Sequence, residues 1–178
     1  MVEGPALVLD ALGRVRDIVG DALRDLSPAE LLAPPQPHIA WLVWHLTRVQ
    51  DANFSGLMEC PQAWIADGWH RRFGMPPDPK DYGSGHRHTR AQVNAFAVND
   101  KQLLLDHLDA VFARTKSYLA GVSNAELNQE LNEPQYQPLP TLGLRLVSVI
   151  TCNMRHAGQI EYLRGLIKHH GWFPSAQR

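Results

Sequence analysis

The longest helical pattern in the chain, from Thr141 to Gly171, constrains the fold more than any other segment. Its apolar residues recur every three or four positions, which is the spacing of one face of an α-helix. Thr141 follows a proline and suits the start of a helix, and Gly171, preceded by two histidines, suits its end. The apolar positions are Leu142, Leu146, Val149, Ile150, Met154, Ile160, Leu163 and Ile167. The segment predicts one long helix, around which the other elements are arranged.

Three polar side chains stand in a row on this otherwise apolar helix. Cys152 and His156 are four residues apart, so both project from one helical face about one turn apart. Gln159 lies one turn further along the same line. A thiol, an imidazole and an amide in one row are an unusual set on an apolar stripe, and they are compatible with a functional site. The pattern also fits a core histidine hydrogen-bonded to a nearby carbonyl group, and the sequence leaves both interpretations open.

Length, charge and cysteine content limit the classes of protein to which the chain can belong. The 178 residues predict one domain, residues 1–178, with a full hydrophobic core. The net charge of -1 argues against nucleic acid or a membrane surface as the main partner, and no apolar run approaches the roughly 20 residues of a membrane span. The N-terminus lacks the features of a signal peptide. Cys60 and Cys152 lie outside any CxxC pair, which predicts free thiols in a reducing, cytoplasmic setting, with a single disulfide as the alternative.

Three more amphipathic segments precede the long C-terminal helix. The patterns predict helices at Gly4–Leu26, His38–Met58 and Thr89–Gly121, the last of them interrupted or bent at Asn99-Asp100. Residues 60–90 are broken by prolines and glycines and carry many aromatic and basic side chains. Such a connection is either a functional loop or one that packs its aromatics over the core. The sequence therefore predicts an all-α four-helix bundle with a long crossover between the second and third helices, so that the topology is not simply up-down-up-down.

His45 lies on the core-facing line of the second helix, four residues after Trp41 and four before Val49. An imidazole buried there needs a partner, because an unpaired polar group costs on the order of 1–3 kcal/mol. It is either a satisfied core histidine, or a metal ligand or proton carrier facing another helix. Sites in bundles are built from facing helices, so a meeting of His45 with Cys152 and His156 is geometrically reasonable. Three ligands from two helices would leave open positions for a catalytic metal.

Two further polar residues near apolar stripes have less distinctive surroundings. Asp51 falls on another face of the second helix, which predicts either a surface acid or an acid that contacts the metal-binding side chains without binding the metal itself. His107 lies close to the stripe of the third helix, and its spacing predicts a position at the boundary between core and solvent.

Three segments carry a resemblance to a known family. They are WLVWHLTRVQDANF at 41–54, DYGSGHRHTRAQVNAF at 81–96 and MRHAGQIEYLRG at 154–165. Together they resemble the DinB-like superfamily, and most closely the branch that includes the bacterial mycothiol S-transferases. The resemblance covers nearly the whole chain and implies a four-helix bundle with a long connection after the second helix. It also implies a divalent metal held by one histidine of the second helix and two residues of the fourth, which by position are His45, Cys152 and His156.

The sequence departs from the family pattern at two of these places. Cys152 stands where histidine or glutamate is usual, and Gln159 stands where some members have another histidine. A thiolate is a good ligand for zinc and a poor one for magnesium or calcium. The site is therefore either selective for zinc, or it has lost its metal and keeps a protonated thiol in an apolar core.

The activity that the resemblance implies is a thiol S-transferase, in which a low-molecular-weight thiol such as mycothiol attacks an electrophile in a detoxification reaction. His45 and His156 are the catalytic candidates, either as metal ligands or, without a metal, as a general base. The candidates for binding the substrate thiol are Arg155, Gln159, Tyr82 and His86, together with Arg71 and His88. The thiol itself, whether mycothiol, bacillithiol or glutathione, stays open.

A second hypothesis uses the same bundle without catalysis. In it the histidines are structural and the chain is a binding or stress-response protein. Trp-rich helices can bury a dimer face as easily as a pocket, and a homodimer is the predicted assembly. A metal-dependent hydrolase or isomerase ranks last, because it needs a carboxylate beside the ligands and Glu161 lies off the face that carries His156.

Overall fold

The computed structural model describes residues 3–83 and 88–170, and the chain is helical along most of them. In chain order the helices are α1 (Gly4–Leu23), α2 (Pro28–Leu31), α3 (Ile39–Leu57), α4 (Ala63–Ala66), α5 (Trp69–Arg72), α6 (Arg90–Ala95), α7 (Lys101–Leu119), one 3-10 turn (Glu126–Asn128) and α8 (Leu142–Lys168). The four long helices α1, α3, α7 and α8 pack into a bundle. The predicted all-α four-helix fold is confirmed.

The third predicted helix is two helices in the structure. The chain leaves the helical conformation at Phe96 and re-enters it after Asp100, whose carboxylate accepts the backbone N–H groups of Gln102 and Leu103 at the start of α7. The interruption expected at Asn99-Asp100 is thus a true break. It occurs there because an aspartate N-cap offers the free N–H groups of a new helix the acceptors that the preceding turn no longer supplies.

The helices follow an up-down-down-up order. Arg16 of α1 pairs with Asp109 of α7 at 2.5 Å, and Lys101 at the start of α7 reaches the carbonyl of Arg24 beyond the end of α1, so these two helices are antiparallel. The last turns of α1 and α8 lie together through an ion pair between Asp25 and Arg164 at 2.7 Å, which makes them parallel.

Helices α3 and α8 run antiparallel as direct neighbours. Gln50 of α3 contacts Asn153 of α8 at 2.8 Å, and Asn53 contacts Arg145 at 3.3 Å, so positions rise on one helix as they fall on the other. The predicted departure from up-down-up-down topology is confirmed. The crossover is long because α3 and α7 point the same way, and the chain must return along the length of the bundle before α7 begins.

Helix α3 is buried around its whole circumference over residues 39–51. Helices α7 and α8 cover two of its sides. The crossover covers a third, because the aromatic side chains of Trp64, Trp69 and Phe73 join the same core cluster as Trp44. Of the two interpretations of this connection, packing of its aromatics over the core is the one that the structure shows.

The prediction for His107 is wrong, and so is the surface position that was one of the two alternatives for Asp51. Asp51 is 2% exposed, and its carboxylate accepts the backbone N–H groups of Ala63 and Trp64, both at 2.9 Å, at the start of α4. His107 is fully buried in an aromatic cage formed by the crossover, and neither ring nitrogen has a hydrogen-bond partner among the described residues. Both faces would be exposed in a bare bundle, and the crossover covers them.

The outer face of α8 exposes several large apolar side chains. Leu144, Val147, Met154 and Tyr162 are between 43% and 59% exposed. The predicted homodimer stays a prediction. Cys60 and Cys152 are both free thiols, so the disulfide alternative does not hold. No helix in the described part of the chain is long and apolar enough to cross a membrane.

Candidate metal centre

The structure brings together the three residues that the sequence places on two different helices. The ligand atoms of His45, Cys152 and His156 all lie within 4.8 Å of one another. The two imidazole rings meet nearly at right angles, with their centroids 4.7 Å apart. This meeting follows from the antiparallel contact of α3 and α8 and from the four-residue spacing on α8, which puts the thiol and one imidazole on the same face.

His45 is held in one orientation from two directions. Its ring stacks on Trp41 with centroids 4.9 Å apart, and its Nδ1 is hydrogen-bonded to the backbone carbonyl of Tyr82. A carbonyl oxygen only accepts, so Nδ1 carries the proton and Nε2 keeps the lone pair that a metal requires. Burial lowers the pKa of His45 to about 4, and the ring is neutral at pH 7.

His156 is half-buried and is oriented in the same way. Its Nδ1 lies 2.6 Å from the side-chain oxygen of Gln159, one turn further along α8. The amide oxygen accepts the Nδ1 proton, which again leaves Nε2 as the free nitrogen. Burial lowers the pKa of His156, so this ring too is a neutral ligand at pH 7.

Cys152 completes the donor set. Burial raises the pKa of its thiol, while the positive charge of Arg155 acts in the opposite direction. One sulfur and two imidazole nitrogens, each nitrogen selected by an oxygen acceptor behind it, are a donor set that fits zinc. Ligand atoms around tetrahedral zinc lie about 3.3 to 3.8 Å apart, so the widest pair here has to close by about 1 Å.

The other residues that were predicted to bind the substrate thiol lie in different surroundings. Gln159 touches a candidate ligand, and Tyr82 contributes its backbone carbonyl to His45. Arg155 is exposed on the solvent side of α8, next to His156 in sequence. His86 lies outside the described residues, and Arg71 is exposed on α5 in the crossover.

His88 makes contacts that the sequence did not indicate, and its predicted role in binding the thiol stays a prediction. Its side chain is 7% exposed and bonds to the carboxylate of Asp81 at 2.8 Å. It also accepts the indole N–H of Trp41 at 3.2 Å and stacks on Trp44. The ring lies behind Trp41, which stacks on His45, and it also lines two surface cavities. Sequence reasoning missed these contacts, because they depend on where the crossover runs.

A polar cavity that the sequence did not indicate lies along the same seam between α3 and α8. It has a volume of about 620 Å³, and Arg145 of its wall shares the α8 face of Cys152 at a spacing of seven residues, about 10 Å along the helix. Its polar lining consists of Asn53, Glu59, Glu126, Gln129, Glu130, Asn132, Glu133 and Arg145. Four carboxyl groups against one guanidinium make the cavity electronegative.

Fold and donor set define a four-helix-bundle protein with a candidate metal centre between its second and fourth long helices. A sequence model of the DinB superfamily matches residues 11–160, and the chain belongs to that superfamily. The crystal structure of a conserved protein from Enterococcus faecalis has the same fold, with a TM-score of 0.85 and 29% identity, covering 96% of this chain and 100% of the other. A comparison with curated proteins gives no match. The predicted superfamily is confirmed, and the mycothiol S-transferase branch stays a prediction.

Proposed function

We propose that the protein is a zinc-dependent S-transferase that joins a low-molecular-weight thiol, mycothiol or a similar sugar-containing thiol, to an electrophilic substrate. The observation that carries this proposal is the donor set of His45, Cys152 and His156, whose ligand atoms lie within 4.8 Å of one another. Two of the three residues are half-buried rather than sealed in the core, so the set has a side open to a ligand. Three protein ligands with one open position are typical of catalytic zinc.

The residues around the donor set divide the work of the reaction. Zinc held by His45, Cys152 and His156 would supply a Lewis acid that lowers the pKa of a substrate thiol. The carbonyl of Tyr82 and the amide of Gln159 keep both imidazoles in the tautomer that binds metal. Arg155, exposed beside the set, places a positive charge where an anionic sulfur is favoured. The thiol sulfur donates its electron pair to the electrophilic carbon, the leaving group departs with its bonding pair, and the thiol proton passes to solvent.

Metal content and thiol transfer test the proposal together. Protein purified without chelators or metal-affinity resin is expected to contain near-stoichiometric zinc and to conjugate mycothiol to monochlorobimane. The His45→Ala variant is expected to lose both properties, because the metal loses the ligand that α3 provides. A matched control is His169→Ala, which removes an exposed histidine beyond the end of α8. Absence of zinc from the wild-type protein, with no change in thermal stability when zinc is added, would contradict the proposal.

The electronegative cavity indicates which thiol the site favours. Its carboxylate and amide groups can hydrogen-bond to the hydroxyl groups of a sugar, and they repel a thiol that carries carboxylates of its own. The cavity begins about 10 Å from Cys152, within reach of a substituent on a thiol bound there. The uncharged, polyhydroxylated mycothiol is therefore favoured over the anionic thiol glutathione.

Removing charge from the cavity is expected to weaken that preference. In a Glu59→Gln/Glu130→Gln double variant, the ratio of kcat/KM for mycothiol to kcat/KM for glutathione should fall about three- to fivefold, since each charge acts over about 10 Å of solvent-exposed space. The matched control is Asp67→Asn/Asp106→Asn, which removes two exposed carboxylates outside the cavity lining. An equal fall in both double variants, or no fall in either, would show that the cavity does not select the thiol.

A further inference from the structure

Arg48 is a charged residue placed where the core is most apolar. Its side chain is 0% exposed, and its guanidinium lies over the ring of Trp64 at 4.6 Å. Burial lowers its pKa to about 10, so it remains charged at neutral pH. Its partners come from α3 and the crossover and are Asp51, the side-chain oxygen of Gln62, and the backbone carbonyls of Asp78 and Asp81.

The two carbonyls that Arg48 binds lie in the segment that reaches the candidate metal centre. Asp81 gives its carbonyl to Arg48 at 3.1 Å, and the next residue, Tyr82, gives its carbonyl to Nδ1 of His45. Arg48 and His45 are three residues apart on α3, so they are neighbours on the helix surface. Two consecutive carbonyls of the crossover are therefore fastened to two neighbouring side chains of one helix.

The side chain of Asp81 extends this contact to the face of the His45 ring. An indole N–H only donates, so the bond from Trp41 makes Nδ1 of His88 the acceptor and places its proton on Nε2, which donates to Asp81 at 2.8 Å. Trp41 in turn stacks on His45. The backbone carbonyl of Tyr82, next to Asp81, thus orients the edge of the His45 ring. The carboxylate of Asp81 supports the face of the same ring through His88 and Trp41.

Gly83 shows how closely this segment approaches α3. It has a φ of 67°, in the left-handed region, and a Cβ atom there would lie 2.7 Å from the rings of both Trp41 and Trp44. A residue with a side chain fits neither the conformation nor the space. The segment from Asp78 to Gly83 therefore lies directly on α3, at the turn that carries His45.

We propose that Arg48 is a positioning residue for the metal centre. Its hydrogen bonds hold the segment 78–83 in place, so that the carbonyl of Tyr82 orients His45 with Nε2 toward the ion. The inference rests on the proposed zinc site, but its first consequence is visible without zinc. In the metal-free protein, His45 exists as the single tautomer with its proton on Nδ1, and loss of Arg48 releases it into a mixture of tautomers.

Two readouts separate this role from a merely structural one. The tautomer of His45 is read from the imidazole ¹⁵N shifts of metal-free protein, and zinc affinity is read by competition with a chromophoric chelator. In Arg48→Met, zinc binding is expected to weaken about 10- to 100-fold, the usual effect of removing a group that orients a ligand. Arg48→Lys keeps one donor for the carbonyls, so its affinity should fall between those of the wild type and Arg48→Met.

The matched control is Arg164→Met. Arg164 is also a buried arginine that ties two segments together, through Asp25, and it does not touch the donor set. Unchanged zinc affinity in this variant is expected, and a loss equal to that of Arg48→Met would show general destabilisation and overturn the proposal. If Arg48→Met does not fold, Arg48→Lys decides, because it changes the same contacts with the carbonyls and keeps the buried charge. A His45 tautomer and a zinc affinity equal to those of the wild type in Arg48→Lys would then overturn the proposal.

The outcomes also separate this inference from the proposed function. A single His45 tautomer in the wild type that is lost in Arg48→Met supports the positioning role even if zinc proves not to bind, in which case the transferase proposal fails alone. An unchanged tautomer and unchanged zinc affinity in Arg48→Met would overturn the positioning role and leave the transferase proposal intact.

Discussion

Replacing Cys152 with serine is expected to abolish the thiolate-to-metal absorption of the cobalt-loaded protein and to weaken zinc binding by at least about 100-fold. The thiol is one of the three donors within 4.8 Å of one another, and a hydroxyl is a far poorer ligand for zinc than a thiolate. Loss of a direct ligand should exceed the 10- to 100-fold effect of losing a group that only orients one. Absorption spectra of cobalt-substituted protein and chelator competition with zinc provide the measurements.

The chain supplies its own control for this experiment. Cys60 is also a partly buried free thiol, but it lies beside Arg114 at 3.1 Å and is not one of the clustered donors. Cys60→Ser should keep both the absorption band and the zinc affinity. Cys152→His supplies a nitrogen ligand and should retain zinc without the thiolate band. A band that survives in Cys152→Ser, or disappears in Cys60→Ser, would exclude Cys152 as a ligand.

The second large effect concerns acid stability and the buried His107. Burial lowers its pKa to about 3 in the folded protein, while in the unfolded chain it titrates near 6.5. The unfolded state therefore binds a proton that the folded state refuses, and stability is lost as the pH falls from about 6.5 toward 3. At pH 5 this one group should account for about 2 kcal/mol of the lost free energy of unfolding.

His107→Leu is expected to remove that loss and to stabilise the protein at pH 7 as well. At pH 7 the gain should be about 1 to 3 kcal/mol, the cost of an imidazole whose nitrogens have no partner in the described structure. Urea unfolding at pH 7 and pH 5 measures both effects, and His169→Leu, at an exposed position, is the control. His45 also resists protonation, with a pKa of about 4, but it is present in every variant compared. An equal dependence on pH in the wild type and His107→Leu would contradict the prediction.

Periodicity was sufficient to predict the bundle and the shared helical face of Cys152 and His156. Apolar residues at three- and four-residue intervals locate the long helices, and the spacing of Cys152 and His156 fixes a shared face whatever the helix packs against. The meeting with His45 needed one further condition, that the second and fourth long helices are neighbours. The family resemblance implied that condition, and periodicity alone could not.

The roles set by the crossover could not be predicted. Whether Asp51 or His107 is buried depends on where residues 60–83 lie, and no repeat in that segment specifies its path. One signal was available in retrospect. Arg48 is the only lysine or arginine of α3, which also carries Trp41 and Trp44, and a buried cation requires fixed acceptors nearby. The polar cavity was equally hidden, since its walls come from α3, α7, α8 and the connection between the last two.

The division of the donors between α3 and α8 sets the order of events during synthesis. His45 is synthesised more than a hundred residues before Cys152 and His156. A nascent chain cannot assemble the donor set until its last helix has emerged and packed beside α3. At the proposed zinc site, ion capture would therefore be a late step of maturation. The bundle must assemble from its apolar core alone before any metal can add to its stability.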